Sequence, residues 1–163
     1  MPTPTYKPLA NITLTGNATT VSFNSINQGF KDIILVAEFV PNFNALVTMR
    51  MNGDSGGNYR YVTMSNNTSA GFSSATGNSS AMYLIAAANV IAGTKVNLIS
   101  NLVDYSATDK SKTIINRINN YQGTNASSGG RWSSTSAMTS FTLDTDGGTF
   151  AAGSTFAIWG VIG

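Results

Sequence analysis

The chain has 163 residues, enough for one domain with a real core; 42% are hydrophobic but only 10% are charged. A typical soluble domain is about a quarter charged, and here Ser, Thr, Asn and Gly take that place, giving a neutral surface suited to assembly. Nine Lys and Arg scattered against seven acids leave a net charge of +2 with no basic stripe, which argues against nucleic-acid binding, while zero Cys excludes disulfides, thiolate nucleophiles and Cys-based metal sites.

The opening MPTPTYKPLAN lacks the apolar core of a secretory signal, and no stretch reaches the ~18 apolar residues of a membrane span. Its prolines predict an extended arm over residues 1–9, followed by one domain over 10–163. Six Asn-x-Ser/Thr triplets occur, and in a chain this rich in those residues they reflect composition.

Helix signals are nearly absent: short runs of Thr, Val, Ile, Tyr and Phe are divided by Gly, Asn and Ser clusters about 8–15 residues apart, the pattern of an all-β sandwich or barrel. NITLTG (11–16) predicts the first strand. TTVSFNSI (19–26) predicts the second, with Val21 and Phe23 on one face. FKDIILVAEFV (30–40) is the most apolar run, and with both faces mostly apolar it predicts a central strand covered on both sides, stopped by Pro41.

ALVTMRMN (45–52) sets Val47, Met49 and Met51 against Thr48 and Arg50, and YRYVTM (59–64) follows as its return strand. Residues 65–80 form the longest polar stretch and predict a mobile exposed loop. AMYLIAAANV (81–90) alternates without a cap pattern and predicts a strand, as do TKVNLISNLV (94–103) and KTIINRINNY (112–121). A second loop is expected at 122–136, then strands AMTSFTLD (137–144) and TFAIWGVIG (155–163), the latter tied into a sheet by its apolar side chains. The sum is a single antiparallel β-sandwich of nine or ten strands, without internal repeats.

NGDSGGN, between two alternating runs, reads as a turn: Asn52, Gly53, Asp54, Gly56 and Asn58 are turn formers, and Asn-Gly supplies positive φ. It lacks the Gly-Lys-Ser/Thr and following helix of a phosphate loop. It also lacks the Asp-x-Asp spacing and distal Glu of a calcium loop. No metal or other cofactor is expected.

Catalytic residues are equally hard to find. No His or Cys is present, and the hydroxyls have no evident activator. Asp144 and Asp146 belong to the turn composition DTDGG, and Asp104 and Asp109 flank another turn. Glu38, the single Glu, falls in the most apolar strand, where an inward side chain would need Arg50 or Lys31 as partner. An enzyme is not expected. A glycan-binding surface is the rival reading, with Trp132, Tyr59 and Tyr121 as stacking candidates framed by the two polar loops; Trp159, in an apolar strand, reads as core.

Two stretches together resemble a family. A strand ending in MNGDSGGNYRY (Asn52, Gly53, Asp54, Gly56, Asn58, Tyr59) and a final strand GSTFAIWGVIG preceded by Phe150 are similar to a recurring group of small tailed-bacteriophage virion structural proteins. In the second stretch Phe150, Gly153, Ser154, Phe156, Ile158, Trp159 and Gly160 match, and SINQGFKDIILV resembles that group's lead-in to its first long strand. The resemblance implies a jelly-roll-like β-sandwich, a symmetric homo-oligomer such as a trimer, and a place in the virion, assembled in the host cytoplasm. Its partner would be the major capsid or tail protein, with no nucleic acid and no membrane. A short chain without stalk or heptads favours a capsid decoration (cement) protein over a fibre. The alternative is a tail or fibre accessory protein that binds host carbohydrate.

Overall fold

The computed structural model describes residues 5–42, 44, 46–66, 71–85, 91–120 and 125–163. Twelve strands and no helix occur among them: β1 (Tyr6–Thr13), β2 (Thr20–Phe23), β3 (Asp32–Phe39), β4 (Val47–Met51), β5 (Tyr59–Asn66), β6 (Gly71–Ser79), β7 (Met82–Ile85), β8 (Val96–Val103), β9 (Lys112–Asn120), β10 (Asn125–Trp132), β11 (Phe141–Thr145) and β12 (Thr155–Val161). They form a jelly-roll-like β-sandwich with antiparallel pairing throughout. One sheet has eight strands in the order β1-β12-β3-β8-β9-β10-β5-β6, the other four in the order β2-β11-β4-β7.

Alternation decides which side chains meet between the sheets. Ile33, Leu35, Ala37 and Phe39 of β3, Val96, Leu98 and Leu102 of β8, and Ile114 and Ile118 of β9 point inward. From the smaller sheet Val21, Phe23, Met49, Met51, Met82, Leu84, Phe141 and Leu143 close over them. Phe39, Phe150 and Phe156 pack at one end with ring centroids 5.1–6.0 Å apart.

Four expectations are corrected. Strand β3 is covered on one side only: Val36 is 42% exposed and Glu38 lies on the same outer face. The expected polar loops at 65–80 and 122–136 contain strands β6 and β10, which hydrogen-bond to the flanks of β5. Residues 67–70, 86–90 and 121–124 lie outside the described residues. Part of the expected arm, from Tyr6 onward, pairs with β12 as β1, with a register shift between Pro8 and Ala10 where proline breaks the ladder. Finally, the described residues form twelve strands, since serine and glycine strands carry no apolar signal.

A polar belt crosses the interior. Ser100, Asn116, Ser128 and Thr63 are register neighbours on β8, β9, β10 and β5, all buried. Asn116 Nδ2 donates to Ser128 Oγ (2.8 Å), and that hydroxyl donates to the Leu84 carbonyl of the opposite sheet (3.2 Å). Ser100 Oγ has no hydrogen-bond partner. Ser100→Ala is therefore expected to leave stability unchanged or raise it by up to about 1 kcal/mol, because an unpaired buried hydroxyl contributes only its desolvation cost. Urea unfolding checks this; a clear loss of stability would mean that the hydroxyl is satisfied.

Candidate functional site

The NGDSGGN segment does not join paired strands. Strand β4 lies in the four-stranded sheet and β5 in the eight-stranded one, so the segment is a corner that carries the chain between layers. Asn52 (φ 51°) and Gly53 (φ 68°) form a left-handed turn closed by Asp54 N–H to the Met51 carbonyl at 2.9 Å. The Asn52 amide reaches the segment before β11, donating to Ala137 O (2.8 Å) and accepting from the N–H groups of Thr139 (2.9 Å) and Ser140 (3.1 Å).

Asp54 is the centre of the corner. Its Oδ1 accepts from Gly56 N–H at 2.8 Å, and its Oδ2 accepts from the Trp132 indole at 2.6 Å and the Asn58 amide at 2.9 Å. The Trp132 indole, ahead of the Asn58 and Gly56 donors, holds the carboxyl below its ordinary range. Tyr59 completes the joint: its hydroxyl donates to Asp54 O (3.0 Å) and accepts from Met51 N–H (3.0 Å). Burial pushes that phenol up to about 12. A carboxylate engaged by three donors ties a corner together and is poorly placed to coordinate a cation or accept a substrate proton. Among the described residues, no three acidic side chains converge as a metal site would require.

The stacking candidates separate. Trp132 is 2% exposed and Tyr59 is fully buried, so neither offers a ring face to a sugar; Trp132 was expected on an exposed loop and Tyr59 at the start of a strand beside one, and β10 and the corner bury them. Tyr121 lies outside the described residues. Trp159, expected in the core, stands on the outer face of β12 because Phe156 and Ile158 take the inward positions. Three of the acids are ion-paired: Asp144 with Arg50 (3.3 Å), Asp104 with Lys31 (2.7 Å) and Lys110 (3.1 Å), and Glu38 with Lys95 (2.7 Å) rather than with Arg50 or Lys31.

The feature that the sequence pattern did not assign is the outer face of the eight-stranded sheet. Register places Trp159, Ile34, Asn101, Ile115, Gly129 and Val62 in one row across six strands. The adjacent row is Ala157, Val36, Ile99, Arg117, Ser127 and Met64. Ile99, Ile115, Val62 and Met64 are 43–52% exposed. The signal was present in the doubly apolar run 30–40, but apolarity on a second face does not say whether the same chain covers it.

No family model and no curated protein matches the chain. Among solved structures it is similar to the galectin LEC-6 of Caenorhabditis elegans, with a TM-score of 0.44 at 11% identity over 91% of this chain and 94% of that one. The PL-14 alginate lyase of Aplysia kurodai follows, with a TM-score of 0.35 at 10% identity over 82% and 71% of the two chains. A mutant of the alginate lyase Aly36B in complex with alginate tetrasaccharide gives a TM-score of 0.33 at 12% identity over 87% and 80%. Likenesses of this size carry nothing about function to this chain.

Proposed function

We propose that the protein is a non-enzymatic structural subunit of a bacteriophage virion, a capsid decoration protein that adheres to its neighbours through the outer face of the eight-stranded sheet. The observation that carries this reading is that face: broad and carrying the exposed apolar side chains Val36, Ile99, Ile115, Val62, Met64 and Trp159. Exposed apolar side chains gathered on one face mark protein contact sites. The resemblance of residues 52–59 and 150–160 to tailed-phage virion proteins supplies the biological setting, and the homo-oligomer, three-fold by that resemblance, belongs to the same proposal. The test is co-sedimentation of the purified protein with undecorated heads of a phage encoding it. Saturable binding that raises the melting temperature of the shell is expected; binding to none of heads, tails or fibres would overturn the reading.

One observation favours a second reading. A shallow basin of about 330 Å³ on the same face is lined by Asn97, Ile99, Arg117, Asn119 and Asn125. Amides and a guanidinium around an apolar floor suit the hydroxyls and carboxylates of a glycan. A host glycan array should then show binding that Arg117→Ala reduces at least about tenfold, the loss of one charged hydrogen-bond donor. An array on which wild type and variant are equally blank removes this alternative.

A further inference from the structure

We propose that the outer face of the eight-stranded sheet pairs with the same face of a second copy, about a two-fold axis running along the strands between β8 and β9. This rests on the adhesion reading and names its first partner.

Size permits it. Eight strands at about 4.8 Å spacing and eight residues at about 3.3 Å rise give a face of roughly 900 Å². That slightly exceeds the ~800 Å² per partner of a stable interface. The apolar side chains are distributed across the face: Trp159 on β12, Val36 on β3, Ile99 on β8, Ile115 on β9, and Val62 and Met64 on β5.

Charge selects the partner and the axis. Strands β5 to β10, and the sequence joining β5 through β8, contain no Asp or Glu, yet Arg60, Arg117 and Arg131 face outward there. Arg131 and Arg60 sit directly opposite each other in the β10–β5 register. The acids of this face, Asp32 and Glu38, both stand on β3; Glu38 is already paired with Lys95 at 2.7 Å, so Asp32 carries the complementarity. An axis along the strands between β8 and β9 exchanges β3 with β10 and β12 with β5, given the strand order. It carries Asp32 of one copy over Arg131 of the other, and Trp159 over Val62, since these pairs share rows. Ile34 falls over Gly129, the one outward position on β10 without a side chain. Stacked sheets cross by about 30°, which shifts the outermost pairs by about a row but keeps Asp32 on the side of Arg131. A two-fold axis across the strands would instead lay β10 on β10 and arginines near arginines. Two-fold pairing is compatible with any further order built at the sandwich edges; a trimer exposing this face would pair as two trimers.

Gly129 gives a clean test. A Cβ built there meets nothing within 4 Å, so Gly129→Glu is tolerated by the single chain and felt only by a partner. Light scattering and sedimentation velocity on the full chain should give an even multiple of 17.1 kDa for the wild type. Gly129→Glu and Arg131→Glu should each halve that mass with an unchanged circular dichroism spectrum. Because the chain has no Cys, Asn101→Cys places its single thiol beside the axis, where a short bismaleimide should join two copies. A wild type that is monomeric at ~100 μM, far above the Kd of a stable pair, or a mass indifferent to both Glu variants, overturns the pairing. Shell binding that survives such a result would leave the adhesion reading standing, whereas a self-pairing protein that ignores every shell would reverse that outcome.

Discussion

Gly130→Ala is expected to destabilise the fold by about 3 kcal/mol or more, while Gly129→Ala beside it changes stability by less than about 0.5 kcal/mol. The two glycines are neighbours on β10 but face opposite ways. A Cβ on Gly130 would collide with the Arg60 carbonyl oxygen and stand 2.5 Å from the Met82 side chain. Met82 can move its methyl, but the carbonyl belongs to β5, which pairs with β10 residue by residue. Accommodating the methyl therefore requires the ladder to shift. At roughly 3 °C per kcal/mol for a domain of this size, the melting temperature should fall by about 10 °C. Equal effects of the two substitutions would show that β10 is not seated as described. Gly160→Ala should resemble Gly130→Ala, its Cβ falling 2.5 Å from the Phe30 ring, although a ring can turn where a carbonyl cannot.

Trp132→Ala should cost about 4 kcal/mol, the ordinary cost of emptying a buried indole site. Trp132→Phe, which keeps most of the packing and removes the donor to Asp54, should cost about 2 kcal/mol. The joint is also pH-sensitive, with a definite sign. Asp54 is held below its ordinary value of 3.8, first by the Trp132 indole and then by Asn58 and Gly56. A depressed carboxyl contributes stability that is fully present above its unfolded value and lost as pH falls through the folded one. Stability should thus decline below about pH 4. Asp54→Asn should flatten that decline without abolishing it, because Asp104, held down by Lys31 and Lys110, titrates in the same direction. In a Trp159→Phe background the remaining fluorescence comes from Trp132 and should shift over the same acid range. An acid limb unchanged in Asp54→Asn would remove the carboxylate from the account.

The strands that were legible in the sequence were those with something to bury. Val21 and Phe23, Val47, Met49 and Met51, and Leu98 and Ile118 alternate at the strand period, and all of them point between the sheets. Strands β6 and β10 were illegible for the complementary reason. Backbone ladders hold GFSSATGNS and NASSGGRW in place, and a ladder needs no particular side chain. The NGDSGGN stretch shows the same division: its turn chemistry was readable, whereas its passage between sheets was not. Positive φ is a local property; the position of β5 is set by its partners.

What the sequence determined by itself, then, was the layered all-β architecture and the lack of His and Cys chemistry, because period and composition are properties of the chain alone. Tertiary structure decided which side of each doubly apolar strand met a second layer. It buried Trp132 against Asp54 and turned Trp159 outward, and it left Val36, Ile99, Ile115, Val62 and Met64 on the open side of the larger sheet. The physical reason is that four strands cannot cover eight on both faces, and which face stays open depends on strand order rather than on any local run of residues.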